Sequence, residues 1–214
     1  MTVLHRFLRF FFHHFYHRFA WTYDSVAAVV SIGRWNEWIK VALPYVAGSV
    51  LELGHGPGHL QVALHSAHVD LVAGLDESHQ MGHLAAARLK REGFSRILTR
   101  GLAQSLPFAN ASFDIVVSTF PTEYIFEPHT LREIRRVLRT PGRLVVLPAA
   151  WIVGHQVLDR SAAWLFRATE QAPRVPAAIL GERLRSGLES AGFRPKFETI
   201  AVRSSEVLVV VADI

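Results

Sequence analysis

The sequence predicts an α/β protein: a doubly wound, mostly parallel seven-stranded sheet that ends in an antiparallel strand pair, with helices placed before it. Three observations carry that prediction. From Ser49 to Pro148, short apolar runs alternate with segments of helical period, the pattern of a parallel sheet covered on both faces. Within it, "SVLELG" reads as a buried strand and "FDIVVSTF" is apolar enough to be central. The last two strand-like runs, "RPKFETIAV" and "SEVLVVVADI", are joined only through Arg203 and Ser204, which suits a hairpin.

The elements follow in order. In "MTVLHRFLRFFFHHFYHRFAWTYDSV", Leu4, Leu8, Phe11, Phe12, Phe15 and Phe19 recur at three and four, a helical stripe. Phe7 and Phe10 widen the stripe, and the charges before Asp24 are Arg6, Arg9 and Arg18. Such a helix must be covered by its own domain, by a second copy in a homodimer, or by a lipid interface, where basic residues sit beside bulky aromatics. "VAAVVSIGRWNEWIKVALPYV" continues as one or two helices, with Trp35 and Trp38 on one face and Pro44 at a break or a first turn. Residues 1–45 are thus expected to form an aromatic, basic helical segment serving as a lid or interaction surface, and residues 46–214 the main domain.

In that domain "GHLQVALHSA" reads as a helix, "VDLVAGLD" as a strand and "SHQMGHLAAARLKREGF" as a helix with basic residues near its end and Gly93 after it. "SRILTRG" and "FDIVVSTF" are strands. "EPHTLREIRRVLRTPG" is a helix, with Pro128 at its start and "TPG" as its terminator. "RLVVLP" is the fifth strand. The rhythm then breaks, and residues 149–180 are expected to form a helical insertion that covers the site, before the helix "GERLRSGLESAGF" and the closing hairpin.

The totals exclude several classes. With 214 residues, 50% of them hydrophobic, the chain supports one domain with a substantial core. It has no cysteine, which rules out disulfides, thiolate metal sites and a cysteine nucleophile, and fits a cytoplasmic protein. The net charge of +5 points to nucleic acid, an anionic membrane surface or an acidic substrate, unless arginine serves solubility alone. The run Leu144–Leu158, broken by Pro148 and His155, is shorter than the ~18–20 apolar residues that a bilayer requires. The N-terminal stretch, interrupted by His and Arg, lacks the pattern of a signal peptide. The pairs His13/His17, His79/His83 and His65/His68 have helical ligand spacing, but two nitrogens do not make a stable site, and no metal is expected.

The chemistry concentrates in "SVLELGHGPGHLQVAL". A strand, a glycine-rich turn and a helix place bare backbone at the carboxyl edge of a sheet, where ligands of open α/β folds bind. The glycines are Gly54, Gly56 and Gly58, and position 59 is His, so the pattern is E-x-G-x-G-x-G from Glu52 rather than G-x-G-x-x-G. Asp76 closes the second strand, eighteen residues beyond Gly58. A carboxylate there can accept two hydrogen bonds from a ribose diol, and could also cap the next helix.

The segments "VLELGHGPG", "VAGLDES", "RGLAQSLPFANASFDIVVSTF" and "LREIRRVLRTPGRLVVL" together give residues 49–148 a resemblance to the class I S-adenosylmethionine-dependent methyltransferases. The chain is most similar to the small-molecule group that includes quinone-biosynthesis methyltransferases. The resemblance implies a Rossmann-like fold, S-adenosylmethionine as cofactor, and roles for particular residues. Gly54, Gly56 and Gly58 would lie beside the methionine part, with His55 touching it through its backbone. Glu52 would orient the loop or reach the amino group through water. Asp76 would hold the ribose, with Glu77 near the adenine. Leu102 stands where family members often carry an acid that accepts from the adenine amino group. Backbone groups of Leu102 and Ala103, or the side chain of Gln104, would substitute. Ser118 and Thr119 would face the sulfonium, and Tyr23 in "WTYDSV" resembles a tyrosine that closes over the cofactor.

Methyl transfer from a sulfonium is an in-line displacement, so positioning and exclusion of water can supply much of the catalysis. A base is required only if the acceptor loses a proton. Candidates for the acceptor pocket are Phe120, Glu123 and Tyr124 in "STFPTEYIFEPH", and His155 as a base. The aromatic N-terminus and apolar insertion favour a small apolar or aromatic acceptor. Two alternatives remain: a non-catalytic S-adenosylmethionine-binding accessory protein that uses the N-terminal helix as a partner surface, and an RNA methyltransferase. The first would bind cofactor without turnover. Against a nucleic-acid partner stand the missing N-P-P-[YF] signature and the absence of any visible RNA-binding module.

Overall fold

The computed structural model describes residues 34–67, 69–153 and 176–214. The aromatic stretch up to residue 33, with Tyr23 and His13/His17, lies outside the described residues, as do His68 and most of the expected insertion, with His155.

Seven strands form one sheet: β1 Ser49–Leu53, β2 Leu71–Asp76, β3 Leu98–Arg100, β4 Phe113–Thr119, β5 Leu138–Ile152, β6 Arg194–Val202 and β7 Ser205–Asp213. Their order is β3-β2-β1-β4-β5-β7-β6. The pairs from β3 to β5 are parallel, while β7 runs antiparallel to both β5 and β6. Between β1 and β4 the chain order reverses, which is where an open α/β sheet leaves a crevice at its carboxyl edge.

The described helices are α1 Trp35–Lys40, α2 His59–Ser66, α3 His79–Arg91, α4 Pro128–Val137 and α5 Ala177–Ser190. Strand alternation divides the core between the two faces of the sheet. Leu51, Leu53, Val116, Leu144 and Val146 pack with Leu131, Ile134 and Val137 of α4 and Leu188 of α5. Val50, Val72, Ile115, Val117, Val145 and Leu147 pack with Trp38 and Ile39 of α1 and Leu60, Ala63 and Leu64 of α2. The doubly wound expectation therefore holds, because each central strand is apolar on both sides and needs cover on both.

Local signals set the helix ends. Ser78 caps α3 by accepting from the Met81 N–H at 3.3 Å, and Arg88, Lys90 and Arg91 fill its last turn. Pro128 begins α4, where its missing N–H costs nothing. Trp35 and Trp38 do share a face, their rings 6.5 Å apart, and Pro44 sits in a 3₁₀ turn, Leu43–Tyr45.

Two boundaries differ from the sequence reading. Helix α4 stops at Val137, and "LRTPG" belongs to β5, with Leu138 paired to Phe113. Pro141 disfavours helix at Thr140, and Leu138 is more completely buried against β4 than a helix end would leave it. Strand β5 also continues beyond Pro148, so Ala149–Ile152 pair with β7 instead of opening a helical insertion. Pro148 falls at a register shift between Val146 and Ala149, where the ladder does not require its N–H. At the other end of that stretch, Ala177 already begins α5.

The last part of the expected N-terminal segment is core. Trp38 is fully buried, and Trp35 lies 4.7 Å from the ring of Phe120. Trp38→Ala should therefore cost about 3–5 kcal/mol of stability, measured by urea unfolding. A loss below about 1 kcal/mol would mean that α1 is an appendage.

Candidate functional site

The glycine turn after β1 is held by β2. Gly54 N–H donates to Leu75 O at 2.8 Å, and Gly56 N–H donates to Asp76 Oδ2 at 2.9 Å. The other carboxylate oxygen of Asp76 accepts from Ser78 N–H at 2.8 Å, at the start of α3. One side chain thus ties the turn, the end of β2 and a helix N-terminus together. Gly54 and Gly56 have φ of +70° and +51°, in the left-handed region that favours glycine. A Cβ on Gly54 would also lie 2.5 Å from the Tyr124 hydroxyl, whereas one on Gly56 would meet nothing within 4 Å. Gly54 is therefore required by the protein's own packing, and Gly56 presents bare backbone to open space.

A cavity of about 330 Å³ opens beside this turn. Of the residues expected at the cofactor, Gly54, Asp76, Glu77, Leu102, Ala103 and Gln104 line it, as does Tyr124 from the acceptor candidates. Leu75, Gly101 and Thr122 line it too, and sequence reasoning missed them. Gly101 carried a signal, a glycine directly after a strand. Leu75 carried none, because it reads as an ordinary strand residue. His55 and Asp76 border a second cavity of about 360 Å³, with His79, His83, Arg96 and Arg100.

The remaining expected residues sit beneath or beside the cavity. Glu52 is buried on the α2 side of the sheet and accepts from Gln61 Nε2 at 2.7 Å. Burial pushes its carboxyl up to about 8, so it is a neutral acid at pH 7. Gly58 packs on α3, where its Cβ would meet Ala85. The His55 Nδ1 lies 2.7 Å from Gly56 O, and burial lowers its pKa, which makes it a neutral ring donating to that carbonyl.

Ser118 departs from its expected place facing the sulfonium. It is 1% exposed, and its hydroxyl donates to Leu53 O at 2.7 Å. Alternation along β4 turns it toward the face covered by the 3₁₀ turn Glu123–Phe126. Tyr124 in that turn hydrogen-bonds Ser118, and since the serine proton is committed to Leu53, the phenol is the donor. Burial pushes the Tyr124 phenol up to about 12. Thr119 and Glu123 lie at the end of β4 and on this 3₁₀ turn, outside the lining of the cavity beside the glycine turn.

Comparison with known proteins shows what this geometry is similar to. Residues 50–142 match the methyltransferase domain family. A demethylmenaquinone methyltransferase of Thermotoga maritima is 34% identical over 137 residues, which cover 61% of this chain and 58% of that protein. An uncharacterized methyltransferase of Bacillus subtilis is 31% identical over 51% of this chain and 44% of its own length. The chain thus spans about half the length of these two relatives. A demethylmenaquinone methyltransferase of Deinococcus radiodurans is 29% identical over 83% of each chain. Among solved structures, an S-adenosylmethionine-dependent methyltransferase of Thermotoga maritima has a TM-score of 0.64 at 19% identity, covering 94% of this chain and 98% of that one. At that identity the likeness establishes the fold.

The buried acid gives a pH signature. Glu52 ionises near 4.5 in the unfolded chain but keeps its proton to about 8 when folded. Between those values the folded state binds more protons, so Glu52 makes stability fall as pH rises. Glu52→Gln should remove a slope of roughly 1 kcal/mol per pH unit, read as a stability difference from the parent that grows in favour of the variant from pH 5 to pH 8. The opposite contribution of His55 is common to both chains and cancels in the difference. A pH-independent difference would place an ionised carboxylate at Glu52.

Proposed function

We propose that this chain, which carries a class I S-adenosylmethionine-dependent methyltransferase domain, moves a methyl group from that cofactor to a small apolar or aromatic acceptor of quinone-like character. One observation carries the cofactor half of the reading: the bare glycine turn and the Asp76 carboxylate open onto the same cavity at the carboxyl edge of the sheet. Each Asp76 oxygen accepts one backbone N–H, and each keeps a lone pair for a ribose hydroxyl. Gly54 lines the cavity, and Gly56 leaves open space for the amino-acid arm against the backbone. These residues fit the group.

S-Adenosylmethionine supplies a methyl already activated for displacement. The protein's task is then to align the acceptor and keep water away. Tyr124 is suited to positioning. Its phenol stays neutral at pH 7 and gives its proton to Ser118, so it serves as a wall of the cavity rather than as a base. Glu123, exposed on the same turn, is the carboxylate available should the acceptor lose a proton.

Three observations support the acceptor class. Two relatives bear the name demethylmenaquinone methyltransferase. Trp35 and Phe120 set aromatic surface beside the end of β4. The arginines Arg6, Arg9 and Arg18 stand among phenylalanines, a composition suited to meeting an acceptor at a lipid surface. Among the described residues no helix is long and apolar enough to cross a membrane, so this contact is peripheral in the proposal.

Incubation with methyl-labelled cofactor and quinone-containing lipid extract should place label in the organic phase. Label confined to polar metabolites would overturn the acceptor class. Gly56→Val should abolish cofactor binding measured by calorimetry with the fold retained by circular dichroism, since its side chain would fill the open space beside the turn. Unchanged affinity would remove the cofactor from this site.

A further inference from the structure

We infer that Glu133 and Arg136 of α4 are positioning residues for the cofactor: together they hold the loop after β3 in the shape that lines its cavity. The inference rests on the cofactor reading above and concerns two residues outside the lining of that cavity.

The loop spans residues 101–112, between Arg100 at the end of β3 and Phe113 at the start of β4. Its first four residues, Gly101 to Gln104, line the cavity. Ala103 and Leu106 are each 5% exposed and pack into the core. With Leu106 buried, its backbone groups need partners, yet the loop has no helix or strand of its own to supply them. Two side chains of α4 do so instead. Leu106 N–H donates to Glu133 Oε2 at 2.7 Å, and Leu106 O accepts from Arg136 Nη2 at 2.9 Å. A loop residue is thus bonded at both backbone groups, as a strand residue is by its neighbouring strand.

The pair is itself fixed. Arg136 Nε and Nη2 meet the two Glu133 carboxylate oxygens at 2.7 Å each, a bidentate contact across one turn of α4. Hydrogen bonds from Arg136 hold the Glu133 carboxyl below the usual carboxylate range, so both charges are present at pH 7. Arg136 Nη1 continues along the loop, donating to Phe108 O at 2.8 Å and to Asn110 Oδ1 at 2.9 Å. The Arg136 carbonyl accepts from Ala111 N–H at 3.0 Å. Residues 106–111 are therefore laid along α4 by one arginine and the acid that orients it. A half-exposed ion pair alone contributes little, so its importance lies in the backbone groups it holds. Gln104, the last of the four lining residues, is two positions before Leu106. Releasing Leu106 releases that wall of the cavity, while the central strands keep their own ladders.

The test measures S-adenosylhomocysteine binding to the full chain by calorimetry, and hydrogen exchange peptide by peptide, at a temperature where circular dichroism shows each variant folded. Arg136→Ala should weaken binding about tenfold, the scale of one or two lost hydrogen bonds. It should speed exchange in residues 101–112 and leave β1 and β4 as slow as in the parent. Arg136→Lys keeps the charge without the fork, and should lose less than Arg136→Ala in both readouts. Glu133→Gln loosens the hold on Arg136 and should weaken binding several-fold. Those two milder variants carry the test if Arg136→Ala does not fold. Unchanged affinity despite faster loop exchange would overturn the inference. So would faster exchange spread evenly over the sheet, the mark of a purely structural role. A parent that binds no S-adenosylhomocysteine would overturn the cofactor reading itself, a result distinct from any difference between parent and variants.

Discussion

The Asp76 carboxylate accepts from Gly56 N–H at one oxygen and from Ser78 N–H at the other. Through those two bonds the turn after β1, the carboxyl end of β2 and the first turn of α3 hold one arrangement. Both donors are backbone groups at a sheet edge, where no ladder satisfies them, so the carboxylate replaces a partner that secondary structure cannot supply. The same atoms face the cavity. The structural role and the proposed ligand-binding role therefore fall on one residue: the carboxylate shapes the turn that exposes the backbone, and its remaining lone pairs are the ones the proposed cofactor would use.

Below this junction the protein places polar groups where a core would ordinarily be apolar. Glu52 and Gln61 pair beneath the turn, and the Gln61 amide also reaches Ala73 O at 3.3 Å, joining β1, α2 and β2. His55 closes the turn from inside through the carbonyl of Gly56. On the opposite face Tyr124, Ser118 and Leu53 O form a short chain that presses the turn after β4 against Gly54. Buried polar chains of this kind are costly when incomplete and rigid when satisfied. Such rigidity would suit the proposed displacement, because reacting atoms gain rate from being held in line.

Much of the fold was legible in the chain. Each predicted strand from "SVLEL" to "SEVLVVVAD" is present, because the run lengths, the glycines and the alternating helical periods agree with one another. The boundaries that failed did so for tertiary reasons. "LRTPG" reads as the end of a helix until β4 offers Leu138 a partner, and Ala149–Ile152 read as the start of an insertion until β7 extends far enough to pair with them. At the site, Gly54 and Asp76 were legible because their chemistry is written in residue type and spacing. Ser118 was not, since its direction depends on which face of β4 the turn bearing Tyr124 covers.

The sequence by itself determined the alternation of elements, the carboxyl-edge location of the glycine turn and the acid that closes β2, since periodicity and backbone freedom are local properties. Only the tertiary structure decided that Glu52 is a neutral buried acid, that Tyr124 occupies the space above Gly54, and that Gln104 donates to Glu127. Those outcomes depend on desolvation and on contacts between residues far apart in the chain, and neither exists until the two faces of the sheet are covered.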